Sequence, residues 1–281
     1  MTMSDGPPAG DDRLRSRIAE NLAGIRDRIA AACRQAGRSP AEVTLVAVTK
    51  YVAADATRLV LEAGCRELAE SRPQALWEKA AALADAPAIR WHLVGHLQRN
   101  KIRRTLPHLA MLESLDSLRL LEAVEAEAGK EAEAGKEAEA GKEAEAGKEA
   151  EAGKEAEAGK KAEAGESGRR CDVLVEVNLT DDPGRSGVAP ADVPAVVAAA
   201  AAARHVRLRG LMGMAARPDA AAADARRDFA RLREIRDALA AGLPDPMVLA
   251  ELSMGMSGDF EAAILEGSTI VRIGSAVFEG L

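Results

Sequence analysis

Apolar and polar positions follow two rhythms along this chain, and the rhythms trade places at regular intervals. From Arg13 to Ala36 the apolar residues Leu14, Ile18, Leu22, Ile25 and Ile29 recur at three- and four-residue spacing, which predicts one amphipathic helix. Short apolar runs follow at Val43–Lys50, Arg66–Ser71, Ile89–Gly95, Ala110–Leu115, Asp172–Asn178, Leu208–Met214, Val248–Met254 and Thr269–Gly274, and their length and composition read as strands. Helical stretches separate them, among them Ala54–Ala63, Pro73–Ala84, Ala191–Ala203 and Ala220–Ala240. Eight strands alternating with crossovers predict an α/β fold in the form of a single closed (β/α)8 TIM barrel rather than an open sheet. The eighth run ends seven residues before Leu281, so its helix is stunted and the extra N-terminal helix is expected to cover the gap.

One stretch breaks the pattern. Residues 125–160 are six tandem copies of Glu-Ala-Glu-Ala-Gly-Lys. Alanine and pairs such as Glu127/Lys130 favour helix, while each glycine costs about 1 kcal/mol. The array holds no large apolar residue, and a period of six drifts against 3.6, so no stripe forms. The expectation is a solvated low-complexity insertion over residues 125–165, helical in part or disordered. It falls between the helix after strand four and strand five, at the face opposite the strands' C-terminal ends. Residues 1–12, rich in Gly, Pro and Asp, read as a disordered tail, leaving 13–281 as the barrel domain.

Charge and cysteine content then narrow the function. The array's 12 Glu and 6 Lys contribute −6 of the net charge of −7, so the rest of the chain is nearly balanced. Nothing electrostatic calls for a nucleic acid or an anionic membrane as partner. Cys33, Cys65 and Cys171 are odd in number and lack metal-site spacing, which reads as reduced thiols. The N-terminus has no apolar signal core, and the alanine run 195–203 is shorter than the roughly 20 residues of a membrane span. A cytoplasmic protein is expected.

In barrels of this kind the reactive groups sit at the C-terminal ends of the strands. Strand one is apolar and finishes in Lys50; an amine over an apolar wall loses its proton more easily and attacks carbonyls, although a surface charge is the plainer reading. His92 in strand three is, by itself, more simply a core histidine. Ser257, just ahead of the helix Phe260–Leu265, is either a helix cap or part of a phosphate cradle. Arg272 lies inside an apolar strand, where an unpaired charge is costly, so it requires a specific partner. Gly274 lets backbone approach a ligand, and Ser275 adds a hydroxyl. In a closed barrel strands seven and eight lie near strand one, so a phosphate on Ser257, Gly274 and Ser275 places an aldehyde within reach of Lys50.

The segments Val48-Thr-Lys50, Trp91-His-Leu-Val-Gly-His-Leu-Gln-Arg-Asn-Lys101, Val177-Asn178, Gly210-Leu-Met212, Ser253-Met-Gly-Met-Ser-Gly-Asp259 and Val271-Arg-Ile-Gly274 carry a resemblance. In them the chain resembles the YggS/PROSC family of pyridoxal-phosphate homeostasis proteins, over nearly its whole length apart from the tail and the array. The resemblance implies a pyridoxal 5′-phosphate barrel similar to the N-terminal domain of alanine racemase. It implies a Schiff base at Lys50, phosphate contacts at Ser257, Gly274 and Ser275, and Arg272 facing the pyridine nitrogen. Asn178, His92, Met212 and Ser71 complete the candidate cofactor contacts. The chain departs from the family pattern at Ala69-Glu70-Ser71, where Gly-Glu-Asn is usual, at Ala53 in place of a proline, and at Arg185 in place of a lysine.

The leading functional reading is a monomeric carrier or buffer of the cofactor, with PLP-dependent apoenzymes as recipients and no dedicated substrate reaction. The alternatives are an amino-acid racemase or decarboxylase using the same cofactor, and a cofactor-free Schiff-base aldolase gripping a sugar phosphate. An arginine at the ring nitrogen stays charged and leaves that nitrogen unprotonated, a weaker electron sink. A racemase of this type adds a second acid/base group opposite the lysine. The only tyrosine is Tyr51, and strand alternation would point it away from Lys50; His92 is the other candidate.

Overall fold

Eight short strands leave sixteen edges' worth of backbone donors and acceptors to satisfy, and closing the sheet on itself satisfies them all. The computed structural model describes residues 9–150, 170–180, 182, 184–216, 224–243 and 249–281. Its strands are β1 Thr44–Val48, β2 Glu67–Glu70, β3 Arg90–Leu93, β4 Leu109–Leu115, β5 Cys171–Val177, β6 Val206–Gly213, β7 Glu251–Ser253 and β8 Ile270–Ile273. They form a closed barrel in chain order, every pair parallel. All eight predicted runs are strands, each observed strand agreeing with its run to within a few residues. Closure is the β1–β8 pairing, with Thr44 opposite Ile270 and Ala47 opposite Ile273.

The helices are α1 Ala9–Gln35, α2 Ala54–Glu62, α3 Pro73–Ala82, α4 Ile102–Thr105, α5 Leu118–Ala150, α6 Val193–Ala201, α7 Ala225–Ala240 and α8 Phe260–Leu265. The apolar stripe of α1 is buried as its spacing predicts, with Ile18, Leu22, Ile25 and Ile29 in the core. This helix covers the end left by the short α8: Asn21 donates to the carbonyls of Val277 (3.1 Å) and Glu279 (3.0 Å), and Arg28 pairs with Glu261 at 2.5 Å. It begins at Ala9, four residues inside the segment expected to be a tail; residues 1–8 of that segment lie outside the described residues. Among the described residues no helix is long and apolar enough to cross a membrane.

The main core fills the shell between strands and helices, and a second cluster of Val46, Ala69, Met111, Leu174, Met212 and Ile270 fills the barrel's inside. In β6 the register skips Arg209 between the pairs Val173–Leu208 and Leu174–Gly210. A Cβ on Gly210 would stand 1.8 Å from the Glu251 carbonyl oxygen, so only glycine lets β7 approach at this bulge.

The first copy of the hexapeptide array departs from the expectation of a solvated insertion. The helix after β4 runs without a break into it, and Ala128 is only 3% exposed. The Glu125 carboxylate accepts from the backbone amides of Arg204 (2.8 Å), His205 (3.0 Å) and Val206 (2.9 Å), where β6 begins. Gly129 lies against His205, whose ring carbon would be 3.1 Å from an added Cβ. Small residues, read from sequence as unable to form a core face, are here what permits close approach. Residues 151–165 of the expected insertion lie outside the described residues.

Three amides converging on one carboxylate predict that Glu125→Ala lowers stability by about 2 kcal/mol, the scale of charge-assisted hydrogen bonds. Urea unfolding monitored by circular dichroism measures this; an unchanged midpoint would show that the contact contributes nothing.

Candidate functional site

Lys50 follows the last residues of β1 into a turn whose geometry is set by its neighbour. Thr49 is held at three atoms: its amide donates to Ala69 O (3.0 Å), its hydroxyl to Glu70 Oε1 (2.7 Å), and its carbonyl accepts from Lys79 Nζ (2.6 Å). Lys79 also pairs with Glu70, and both are buried between β1, β2 and α3. The second Glu70 oxygen, Oε2, has no hydrogen-bond partner among the described residues. Lys50 itself stays partly exposed, its Nζ 4.8 Å from the centre of the Tyr51 ring. Tyr51 therefore does not point away from Lys50. Alternation ends with β1 at Val48, and residues 49–52 turn, Val52 N donating to Thr49 O at 3.1 Å.

Beside this turn lie the loops after β7 and β8. Gly255 takes a φ of +92°, and a Cβ there would come within 2.6 Å of the Ala263 Cβ, so glycine is needed to swing the chain from β7 into α8. The Ser257 hydroxyl accepts from Ala276 N at 3.3 Å, tying the two loops together. Gly274 faces Val48, two residues before Lys50: its Cβ position is 3.5 Å from Val48 O. Among the described residues nothing lies within 4 Å of a Cβ placed on Gly258. Two hydroxyls, the backbones of Gly258 and Gly274 and an amine thus meet on one rim, and that donor set fits a phosphate monoester carrying an aldehyde.

Arg272 is 4% exposed, and it has the partners that its place in an apolar strand demands. Its Nη1 donates to Ser253 Oγ (2.5 Å) and its Nη2 to Gly213 O (3.1 Å); Ser253 in turn donates to Glu113 Oε2 at 2.6 Å. Glu113 Oε1 lies 2.6 Å from His92 Nδ1, and His92 Nε2 lies 2.8 Å from Glu67 Oε2. Arg90 closes the series, donating to Glu67 Oε1 at 2.6 Å. The result is a line of charged and polar side chains through the barrel, from the rim near Gly274 to the opposite face. Burial alone would depress the His92 imidazole, but hydrogen bonds and charge from Glu113 and Glu67 win and raise it to about 9. Burial would likewise raise Glu113, yet His92, then Arg272 and Ser253, hold it below the ordinary carboxylate value. Burial lowers Arg272 against the opposing charges of Glu113, Glu176 and Asp259. Glu176, whose Oε1 accepts from Ser186 at 2.6 Å, is itself pushed up by burial, as is Asp259.

Of the residues singled out from sequence, the structure gathers Lys50, Ser257, Gly274 and Ser275 at one rim, with Arg272 just beneath. Others stand apart. Both ring nitrogens of His92 are taken by carboxylates, leaving none for a ligand. Met212 is fully buried in the cluster inside the barrel. Asn178 spends its side chain on its own loop, donating to Asp182 O (2.9 Å) and accepting from Thr180 N (3.0 Å). Ser71 lines a cavity of about 520 Å³ with Arg72, His96, Gln98 and Lys101. Thr49, Glu70, Lys79, Glu113 and Ser253 were not singled out. For Glu113 a signal existed: it is a charge inside the apolar run Ala110–Leu115, the same argument that marked Arg272.

A model of the alanine racemase N-terminal domain family matches residues 21–281. The chain belongs to this family. Within it, the chain is 36% identical over 263 residues to the pyridoxal phosphate homeostasis protein of Pseudomonas aeruginosa, covering 94% of this chain and 95% of that one. Identity to the protein of the same name from Escherichia coli K12 is 32% over 263 residues, covering 93% and 95%. Among solved structures, PipY of Synechococcus elongatus with PLP bound superposes with a TM-score of 0.71 at 31% identity, covering 93% of this chain and 99% of that one. The family match takes in every strand of the barrel and every residue at the rim.

The His92 imidazolium has a definite signature in stability. Its folded value of about 9 exceeds the usual 6.5, so its contribution is complete below pH 6.5 and is lost as pH rises through about 9. We expect a loss on the order of 3 kcal/mol across that window. The stability difference between the native chain and His92→Asn, measured by urea unfolding from pH 6 to pH 9.5, should shrink accordingly. A difference that stays flat would mean that His92 is not cationic in the folded protein.

Proposed function

We propose that this chain binds pyridoxal 5′-phosphate covalently at Lys50 and serves its homeostasis, holding the reactive aldehyde until another protein takes it. The observation that carries the reading is the clamp on Thr49, which fixes the Lys50 turn beside Val48 and Gly274 and so beside the Ser257 and Ser275 loops. The names of the relatives and the PLP-bound PipY structure support it. The cofactor supplies an aldehyde carbon open to attack by an unprotonated amine; the protein supplies everything else. Lys50 is that amine. Ser257, Ser275 and the backbone at Gly258 and Gly274 hold the phosphate, and Arg272 faces the ring nitrogen as a cation that has no proton to give up.

PLP-dependent apoenzymes are the recipients in this reading, and the protein acts as a cytoplasmic monomer. Tyr51 lies against Lys50 itself, on the amine's own side. His92 is enclosed by two carboxylates. Neither supplies the acid on the opposite side that racemisation requires, which favours a carrier over an enzyme.

Three outcomes follow. Lys50→Ala should fold normally, because the residue is at the rim, and should lose both the visible absorption of the bound cofactor and borohydride labelling; retention of either would reassign the attachment. Ser257→Ala should weaken retention by about 1–2 kcal/mol in equilibrium dialysis. For the carrier assignment, α-proton exchange in deuterated buffer across L- and D-amino acids at saturating cofactor should stay far below about 1 per second, an ordinary enzymatic rate. Exchange at that rate or faster would make the protein an enzyme.

A further inference from the structure

We propose that His92 is a positioning residue for Arg272, acting from inside the barrel by keeping Glu113 ionised, so that the guanidinium beneath the rim is held in one place. The inference rests on the proposed cofactor site for its purpose, and on the interior geometry alone for its mechanism.

Each nitrogen of the His92 ring faces a carboxylate oxygen, Glu113 from β4 and Glu67 from β2. A neutral imidazole carries one donor and one acceptor, so either tautomer would aim a lone pair at an ionised oxygen; only the doubly protonated ring donates at both. Its register partners on the neighbouring strands are Ala69 of β2 and Met111 of β4, both members of the apolar cluster inside the barrel. Held this way, His92 balances Glu113 from one side, and Arg272 balances it from the other, 3.7 Å away and linked through the Ser253 hydroxyl. The direction of every hydrogen bond is then set: Arg272 to Ser253, Ser253 to Glu113, His92 to Glu113. Glu113 is fully buried and is the only carboxylate within ion-pair distance of Arg272 among the described residues. Without the His92 cation, burial is opposed only by Arg272 and Ser253, which favours a proton on Glu113. Arg272 would then face a neutral acid and would be drawn toward the other carboxylates that act on it, Glu176 and Asp259. At the far end Glu67 meets Arg90, which reaches solvent, so the alternation of sign continues to the face of the barrel.

The test needs no bound cofactor for its first part. Nitrogen NMR of the four histidines in the native chain, with His92 assigned by its loss in His92→Gln, should show both ring nitrogens protonated at pH 7; a neutral tautomer at that pH overturns the proposal. The Arg272 side-chain signals, assigned by Arg272→Lys, should be slow to exchange in the native chain and should lose that protection in His92→Gln. In the loaded protein His92→Gln should shift the cofactor's absorption band and raise its dissociation rate about tenfold, with Lys50 still labelled by borohydride. Glu113→Gln and the double variant should match the single variant, because all three remove the same charge; effects that simply add would show that His92 does not act through Glu113. If the cofactor fails to bind at all, the site reading falls while the NMR results still decide the proposal. If the cofactor binds and Arg272 is indifferent to His92, the proposal alone falls.

Discussion

Parallel pairing between the first strand and the last is the constraint on which the rest of the molecule depends. Four consecutive residues of β1, Thr44 to Ala47, sit opposite Ile270 to Ile273, and the Thr44 amide extends the ladder to Thr269 O. Side chains alternate along a strand, so a slip of one residue would carry Arg272 from the inside of the barrel to its outside. It would also part Val48 from Gly274. The register therefore brings the amine, the glycine-lined rim and the cation beneath it together, and the helices, including α1 over the end left by α8, protect that register from outside.

The barrel's inside is unusual for a small (β/α)8 core, which is ordinarily layered with branched apolar side chains. Here one apolar layer, Val46, Ala69, Met111, Leu174, Met212 and Ile270, shares the space with Glu113, His92, Ser253 and Arg272. Buried ions are costly unless their hydrogen-bonding capacity is met. The line meets it by alternating sign and by placing a hydroxyl where two charges need a shared contact. The Glu70–Lys79 pair follows the same logic on the outside of β2, spending its bonds on Thr49, although one Glu70 oxygen has no partner among the described residues.

The strands and most helices were legible because periodicity is a local property, and each run carries it within itself. The rim was legible for a related reason: in a closed barrel, strand order alone puts Lys50 near Gly274. What escaped depended on register or on distant partners. Arg272 could be marked as needing a partner, but naming Glu113 requires knowing which inward positions of β4, β7 and β8 share a level. Tyr51 was misjudged because strand alternation was carried past Val48, where the strand has already ended. Glu125 and Ala128 were missed because a repetitive, alanine-rich segment contains no signal for docking; only the His205 surface opposite makes small residues useful there. Asn178 lies at a strand end like the others, yet an Asx-type turn claims its side chain, a contact that pattern reasoning does not weigh against a ligand.

The interior line also sets how this protein would respond to selection for robustness. Replacing buried ions as a group with well-packed apolar residues is often neutral or stabilising, by about 1–4 kcal/mol, whereas removing one member strands its partner. A heat-driven search through single substitutions would meet a barrier at every member of the line, while a recombined or designed sequence could remove it whole. Such a barrel would be more durable and would no longer carry the Arg272 cation beneath the rim. Thermal tolerance and retention of that buried cation are thus in opposition within one barrel interior, a trade-off of the kind expected where function occupies the core.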